Sequence, residues 1–586
     1  MRHSETLCLG AVGLSLALML GACGGGGSSG TAVDSAPDPD SQPSPPAETL
    51  ADTEAARFLS QATFGPTPSE VDRLMDLGLE AWFLEQLALP PSLHLRTVLD
   101  GFPTDGQFLD GAGAPIPEVV FLASDSLWRT YIEAPDQLRQ RMAFALSQIL
   151  VISADSRLGR TPQTVAHYAD LLTSGAFGNY RDLLHAVTYS PAMAVYLTYL
   201  RNEKADPNTG RVPDENYARE ILQLFTTGLV ALNDDGTPVI GSDGGQQELF
   251  DNADITGLAK VFTGLSFTGA GFRQPIALLP EEAYYSPLTM FDNFHTLEEK
   301  HFLSTTIPAG TGGDESIRIA LDTIFAHPNL GPFIGRQLIQ RFVTSDPADG
   351  YVRRVAEAFD GGVYPLPSGT FVGSGDRGDL SAVIAAVLFD PEARGFDARL
   401  RETFGKLREP VLRFTHWARA FTVNSAAAAN QLALRNTGGS DALGQHPYRS
   451  PSVFNFYRPG YVAAGGLTAE AGLTAPELQI TNATSIVGYP NFITQFALEL
   501  QPQTPSPTGA TFVPDYSRYA AVAGNSEALL DAMDQLLTHG TLQSESRDRI
   551  VQIVSAIGAD DPEGLDLRAR VASILVMTSP EYIVLR

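Results

Sequence analysis

Polar residues at helical spacing are concentrated between positions 215 and 220, where the chain reads ENYARE. At 100° per residue, Arg219, Asn216 and Glu220 lie about 40°, 100° and 140° from Glu215, so all four side chains share one helix face. Two carboxylates beside an arginine could keep one acid neutral and the other charged, as general acid–base catalysis requires. We therefore predict Glu215, Arg219 and Glu220 as candidate catalytic residues and Asn216 as a candidate binding residue.

The same helix face has other interpretations that the sequence leaves open. Its two carboxylates could hold a divalent cation together with a histidine from elsewhere, so the cofactor is unknown and a divalent metal is one candidate. Glu215 and Arg219 are four residues apart, which also suits an ordinary ion pair on a solvated, partner-facing or buried helix face.

A second candidate is His295 in the segment FDNFHTLEEKHF (291–302). It could act as a base or as a third metal ligand near the helix at 215–220, and we include it among the candidate catalytic residues. On a helix, His295 and His301 would lie about 240° apart and could not chelate one ion together, and their spacing matches no standard zinc motif. A histidine hydrogen-bonded within a loop is the alternative.

Aromatic side chains are concentrated in the segment SVFNFYRPGY (452–461). Phe454, Phe456 and Tyr457 could stack on sugar rings, because aromatic faces bury apolar C–H surface. We predict them as candidate binding residues, although long loops also use such side chains to fasten themselves to the body of the protein.

Signature motifs and charge exclude several other functions. The chain has no G-x-S-x-G nucleophile elbow, no phosphate-binding loop ending in Gly-Lys-Ser/Thr and no H-E-x-x-H zinc motif. Its 67 acidic and 39 basic residues give a net charge of −28, which argues against nucleic acid as a partner, since phosphates must be neutralised by clustered Lys and Arg. Whether the protein is an enzyme stays undecided at this level.

The first residues resemble a bacterial lipoprotein signal. An apolar stretch over residues 7–20 is too short to span a bilayer permanently but suits a signal peptide. It ends in Leu-Gly-Ala-Cys (20–23), which resembles the lipobox and implies cleavage after Ala22 and acylation of Cys23. Several acyl chains on one residue give stable membrane anchoring. Gly24 follows, and the known sorting rule then favours the outer membrane of a bacterial cell envelope.

Composition divides the remaining chain into a tether and a folded region. Residues 23–50 are rich in Gly, Ser and Pro and cannot bury a core, so they are expected to be a disordered tether after the signal peptide at 1–22. Residues 51–586 are expected to form the folded domain, with a candidate internal boundary near 266–312.

Helical periodicity dominates this domain. Thr67 to Glu70 form a capping box with Pro68 at the first helical position, and helices are expected over 136–153, 405–421 and other segments. The stretch Asn233 to Gly236 predicts a hairpin turn, while 266–312, 360–377 and 436–475 read as long loops. The predicted fold class is mainly α: a large, irregular multi-helix domain with long Gly/Pro-rich loops and a minor β-hairpin.

Several of these segments together resemble one bacterial family. They are AARFLSQATFGPTPSEVDRL (55–74), LRQRMAFALSQILVIS (138–153), PDENYAREILQLFTTGL (213–229), HPNLGPFIGRQLIQRFVTSDPADGYVRRVAEAF (327–359) and FGKLREPVLRFTHWARAF (404–421). In this order they resemble the "domain of unknown function 1800" family over roughly residues 52–586. The resemblance implies exported, mainly helical proteins without an established activity, and a phosphatase- or sulfatase-like exported protein as a partner. Asp214 and Thr296 depart from the residues usual in that family.

These observations predict a lipid-anchored cell-envelope protein that serves as an assembly or binding component. The alternative is an exported hydrolase, metal-dependent or acid–base, that acts on a surface polymer through Glu215, Arg219, Glu220 and His295. In either case the membrane is a partner through the acylated Cys23.

Overall fold

Local capping signals fix where the first helices begin and end. In the computed structural model, which describes residues 50–103, 117–424, 434–500 and 512–586, Thr67 accepts a hydrogen bond from the Glu70 amide and Glu70 accepts one from the Thr67 amide. The predicted capping box is therefore confirmed, and Pro68 occupies the first turn, where a missing N–H costs nothing. Gly78 ends this helix with a φ of 80°, a conformation that glycine adopts without strain.

Helices account for most of the described chain, so the mainly α prediction is confirmed. In the first part they span Asp52–Ala62, Pro68–Leu77, Leu79–Ala88, Leu95–Asp100, Pro117–Val120, Leu122–Glu133, Gln137–Ser147, Pro162–Gly175, Tyr180–Thr188 and Pro191–Tyr196. In the middle they span Asn216–Glu220, Asn252–Ala259, Gly313–Phe325, Leu330–Phe342, Asp349–Gly361, Leu380–Phe389, Pro391–Arg394, Phe396–Leu400 and Pro410–Ala420. Towards the end they span Leu467–Glu470, Ala483–Ala497, Ser517–Ala520, Ser526–Met533, Ser544–Ser555, Pro562–Met577 and Pro580–Ile583.

Short helices of other types also occur in the described ranges. The 3-10 helices are Arg157–Arg160, Ile276–Leu278, Glu281–Tyr284, Asp292–Phe294 and Pro476–Ile480, and the π-helices are Ile221–Thr226 and Asp534–Thr538.

The strands of the described chain form small antiparallel pairs. They are Leu265–Ser266 with Thr289–Met290, Lys300–Phe302 with Thr305–Ile307, Tyr364–Pro365 with Phe371–Val372, and Lys406–Leu407 with Val584–Leu585. The first three pairs lie in segments that the sequence predicts as long loops. The expected turn at Asn233 is present, since the Asn233 amide donates to the Thr237 carbonyl at 2.9 Å and Gly236 has a φ of 78°.

Two predicted helices are shorter in the structure because tertiary contacts compete for their residues. The helix expected over 136–153 ends at Ser147, and the carbonyls that follow accept from distant side chains: Gln148 from Arg341 at 3.0 Å and Leu150 from Tyr168 at 2.7 Å. The helix expected over 405–421 begins at Pro410, because the residues before it pair as a strand with Val584–Leu585.

One continuous hydrophobic core joins early and late parts of the chain. Residues Leu50–Arg586 pack as one unit, and the helix Asp52–Ala62 packs against the π-helix Asp534–Thr538. Trp82, Trp128 and Trp417 are among the largest buried side chains. None of the helices in the described ranges is both long enough and apolar enough to span a bilayer.

Candidate functional site

The helix Asn216–Glu220 presents Glu215 and Arg219 at the protein surface. Glu215 precedes the first helical turn, and its carboxylate lies 3.5 Å from an Arg219 nitrogen, with side-chain exposures of 36% and 41%. The Thr256 hydroxyl donates to the other Glu215 oxygen at 2.8 Å, and Arg219 also reaches Asn252. The predicted i,i+4 pair is thus present as a half-exposed polar surface shared with the helix Asn252–Ala259.

Glu220 lies on the inner side of the same helix. It is 7% exposed, and its Oε2 has no hydrogen-bond partner among the residues that the structure describes. Burial raises the pKa of Glu220, and the Arg219 charge only partly opposes that rise. The π-helix Ile221–Thr226 begins directly after it, a backbone feature that is frequent at functional sites. Glu220 therefore differs from Glu215 in burial, which is the kind of difference that acid–base chemistry needs.

Asn216 connects this helix to the preceding loop. Its backbone amide donates to the Asp214 carboxylate at 2.9 Å, and its side-chain amide donates to the Thr198 hydroxyl at 3.4 Å. The Thr198 hydroxyl in turn donates to Asp214 at 2.9 Å. Asn216 is half-buried and therefore helps to order the start of the helix beside Glu215.

His295 is fully buried and is held between a backbone carbonyl and a side-chain hydroxyl. Its Nδ1 lies 2.9 Å from the Thr263 carbonyl oxygen, and its Nε2 lies 3.3 Å from the Ser316 hydroxyl. Burial lowers its pKa, although the hydrogen bond to Thr263 opposes that effect. In the structure, both ring nitrogens of His295 are therefore engaged with Thr263 and Ser316 rather than with Glu215 or Glu220.

The candidate aromatic residues are placed at different depths. Phe454 is 40% exposed, and the Arg458 guanidinium lies 5.3 Å from its ring centre. Tyr457 is 3% exposed, and its hydroxyl donates to Gln148 at 3.4 Å, while Phe456 is half-buried. Tyr457 thus fastens the loop to the interior, and Phe454 is the aromatic ring of this set that a ligand could reach.

No metal centre is formed by the part of the chain that the structure describes. Within those ranges, no three His, Cys, Asp or Glu side chains are close enough to hold a metal ion. The predicted acylation site, Cys23, lies outside the described residues.

The sequence analysis missed a group of charged side chains buried in the middle of the protein. We call it the central charged cluster, and its members, each at most 4% exposed, are Arg141, Arg341, Lys406, Arg408, Glu409 and Glu477. A helical wheel offered one signal for it: with Leu138 at 0°, Arg141 falls at about 300°, only about 40° from the apolar Ala145. A charge so close to an apolar stripe indicates a buried, partnered group.

Lys406 lies between the two carboxylates of the central charged cluster. Its Nζ is 3.3 Å from Glu477 and 3.8 Å from Glu409, and it donates to the Arg341 carbonyl at 2.7 Å. The other oxygen of Glu409 accepts from Gln148 at 2.5 Å and from Gln445 at 2.7 Å. These contacts join the helix ending at Ser147 to the strand Lys406–Leu407.

Burial and neighbouring charge oppose each other in this cluster. Burial alone would raise the pKa of Glu409, but Lys406 and Arg141 lower it below its usual value. Glu477 has fewer stabilising partners, and burial raises its pKa despite Lys406. Burial likewise lowers the pKa of Lys406, against the attraction of both carboxylates. Each charge therefore depends on its partners to remain ionised in the interior.

Comparison with known proteins adds one finding. The family model described as "Protein of unknown function (DUF1800)" matches residues 57–584. Neither the curated proteins nor the solved structures include a significant match to this chain.

Proposed function

Because this chain belongs to the DUF1800 family of proteins of unknown function, we propose its role from its own residues: a lipid-anchored cell-envelope protein that binds or assembles with other envelope components. The sequence Leu-Gly-Ala-Cys at 20–23, directly after the apolar stretch at 7–20, carries this proposal. Acylated Cys23 would hold the protein on a membrane outside the cytosol, which we propose is the bacterial outer membrane. A tether of about 27 residues reaches about 30 Å as a flexible coil, which separates the folded region from the lipid surface.

The surface around Glu215 and Arg219 is the candidate binding surface. The ion pair between Glu215 and Arg219 is long, 3.5 Å, and its side chains are 36% and 41% exposed, so it contributes little to the stability of the fold. Thr256 and Asn252 extend the surface with further hydrogen-bonding groups. A partner that supplies a carboxylate for Arg219 would gain a charge-assisted hydrogen bond. The family resemblance suggests a phosphatase- or sulfatase-like exported protein as that partner.

Cysteine substitutions test the anchor. In cells that express the full chain, Cys23→Ser is expected to move the protein almost completely from the detergent phase to the aqueous phase in a phase-partition assay, because the acyl acceptor is gone. Cys8→Ser is the matched control, since it changes the other cysteine of the chain but leaves the lipobox intact. A Cys23→Ser protein that partitions like the wild type would refute lipid anchoring.

Charge reversal tests the binding surface. Arg219→Glu replaces the attraction to Glu215 with repulsion and removes the surface's cationic donor, so capture of an envelope partner by crosslinking should fall about tenfold, the equivalent of about 1.4 kcal/mol. Arg96→Glu is the control, because Arg96 is 84% exposed and also belongs to an i,i+4 pair, with Asp100. Equal capture by both variants would exclude this surface as the partner site.

The hydrolase alternative is supported by one observation, the buried Glu220. A carboxyl with a raised pKa and an unpartnered oxygen can donate a proton in general acid catalysis. Hydrolysis of an envelope polymer by the purified protein, lost in Glu220→Gln and retained in Arg96→Glu, would favour this alternative over the binding role.

A further inference from the structure

A small cavity lies against the cationic side of the central charged cluster. Its walls include the side chains of Arg141, Arg341, Lys406 and Arg408, and its volume is about 10 Å³, close to the space of one water-sized sphere. Phe342 and Leu585 form part of the apolar wall. Four cationic groups thus border a space too small for any organic ligand.

Several nitrogens of these lining arginines have no acceptor. Within the described residues, Arg141 Nε and Nη1, Arg341 Nε and Arg408 Nε make no hydrogen bond, although Arg141 is 1% and Arg341 2% exposed. Buried donors of this kind are usually satisfied in folded proteins, so these nitrogens are available to a water molecule or an ion that accepts hydrogen bonds.

The partners that these arginines do have are mostly neutral. Arg141 donates to the Arg341 carbonyl at 2.5 Å, and Arg341 donates to the carbonyls of Gln337 and Gln148, both at 3.0 Å. Arg408 donates to the Leu537 carbonyl at 3.1 Å. A backbone carbonyl accepts a hydrogen bond from a guanidinium but carries only a partial negative charge, so these contacts offset less of the positive charge than a carboxylate in direct contact would.

Aromatic rings compensate these charges only in part. The Arg141 guanidinium lies 4.6 Å from the ring centre of Phe342, and that of Arg408 lies 4.5 Å from that of Tyr582. Such cation–π contacts are weaker than the desolvation penalty of a buried ion.

The charges around the cavity give the sign expected of a group that binds there. Four cations line the cavity, whereas the cluster contains two carboxylates, Glu409 and Glu477, and both lie within 4 Å of Lys406 rather than of an arginine. Four minus two leaves a surplus of two positive charges, and an anion would offset one of them and accept the free N–H groups.

We propose that this cavity binds a single chloride ion, held by the unpartnered guanidinium nitrogens of Arg141, Arg341 and Arg408. A monatomic halide is the kind of anion nearest in size to the one water-sized sphere that the cavity accommodates, while phosphate, sulfate and carboxylates are too large for it. The ion would complete the charge balance of the central charged cluster and thereby stabilise the folded state.

Thermal unfolding of the full chain in detergent tests this proposal. Exchanging sodium gluconate for sodium chloride at constant ionic strength should raise the wild-type unfolding midpoint by about 2–3 °C, because a ligand that binds only the folded state stabilises it by mass action. Arg141→Met should abolish that rise. Arg549→Gln, at a position 73% exposed, should keep it and so serves as the control for general salt effects.

A second measurement uses only the wild-type protein, so it does not depend on whether a variant folds. Crystals of the wild-type protein grown in sodium bromide should show an anomalous scattering peak in the cavity between Arg141 and Arg408. No chloride response in the wild type, an equal response in Arg141→Met, or no bromide in this cavity would each overturn the proposal.

Discussion

Glu409→Ala is expected to lower the free energy of unfolding by about 3–5 kcal/mol, the cost of breaking a buried charge pair by removing one partner. Glu409 is fully buried and accepts hydrogen bonds from Gln148 at 2.5 Å and Gln445 at 2.7 Å. Its removal leaves both amides without their acceptor and leaves Lys406 with Glu477 alone. Urea unfolding followed by circular dichroism measures the loss, which should also appear as reduced soluble yield.

An exposed carboxylate provides the control for this experiment. Glu545 pairs with Arg549 four residues on, and the two side chains are 78% and 73% exposed. Glu545→Ala should leave the urea midpoint unchanged, because exposed pairs contribute little to stability. If Glu409→Ala unfolded at the same urea concentration as Glu545→Ala, the central charged cluster would not be a structural requirement.

Gly65→Ala is the second substitution expected to have a large effect, a loss of about 3 kcal/mol or more. Gly65 has a φ of 121°, a conformation that costs other residues about 1–3 kcal/mol. An added Cβ would also lie 2.5 Å from the His416 Cα, which is backbone and cannot move aside cheaply. Crowding of this kind adds about 1–3 kcal/mol, and differential scanning calorimetry would detect the combined effect.

Gly78→Ala separates backbone strain from crowding. Gly78 also has a positive φ, 80°, but no atom lies within 4 Å of the position that its Cβ would occupy. Gly78→Ala should therefore cost only the backbone strain, about 1–3 kcal/mol. Equal losses for the two variants would mean that the contact with His416 imposes no constraint at Gly65.

Sequence reasoning succeeded where the signal is local. The capping box at Thr67 depends on four consecutive residues, and the turn at Asn233 depends on an Asn-Asp-Asp-Gly stretch, so both appear where they are predicted. The shared face of Glu215 and Arg219 likewise follows from helical spacing alone, and the structure contains that pair.

Sequence reasoning failed where partners are distant along the chain. Lys406 and Leu407 read as the start of a helix, yet they pair with Val584–Leu585 about 180 residues later. Arg341 is buried against two other segments of the chain. Its guanidinium donates to the Gln148 carbonyl, and its own carbonyl accepts from Lys406. No local pattern encodes such pairings, and Pro410 marks only where the following helix can begin.

Two contacts between early and late parts of the chain have a consequence for biosynthesis. They are the pairing of Lys406–Leu407 with Val584–Leu585 and the packing of Asp52–Ala62 against Asp534–Thr538. A ribosome delivers the residues near position 585 several hundred residues after Asp52–Ala62, so one wall around the buried ions stays missing until they emerge. Until then, water solvates the interior guanidinium and ammonium groups, and the nascent chain stays open to proteolysis. Packing of these early and late segments can therefore be completed only after residues 584 and 585 emerge, and we expect it to be slow because such remote contacts must form together.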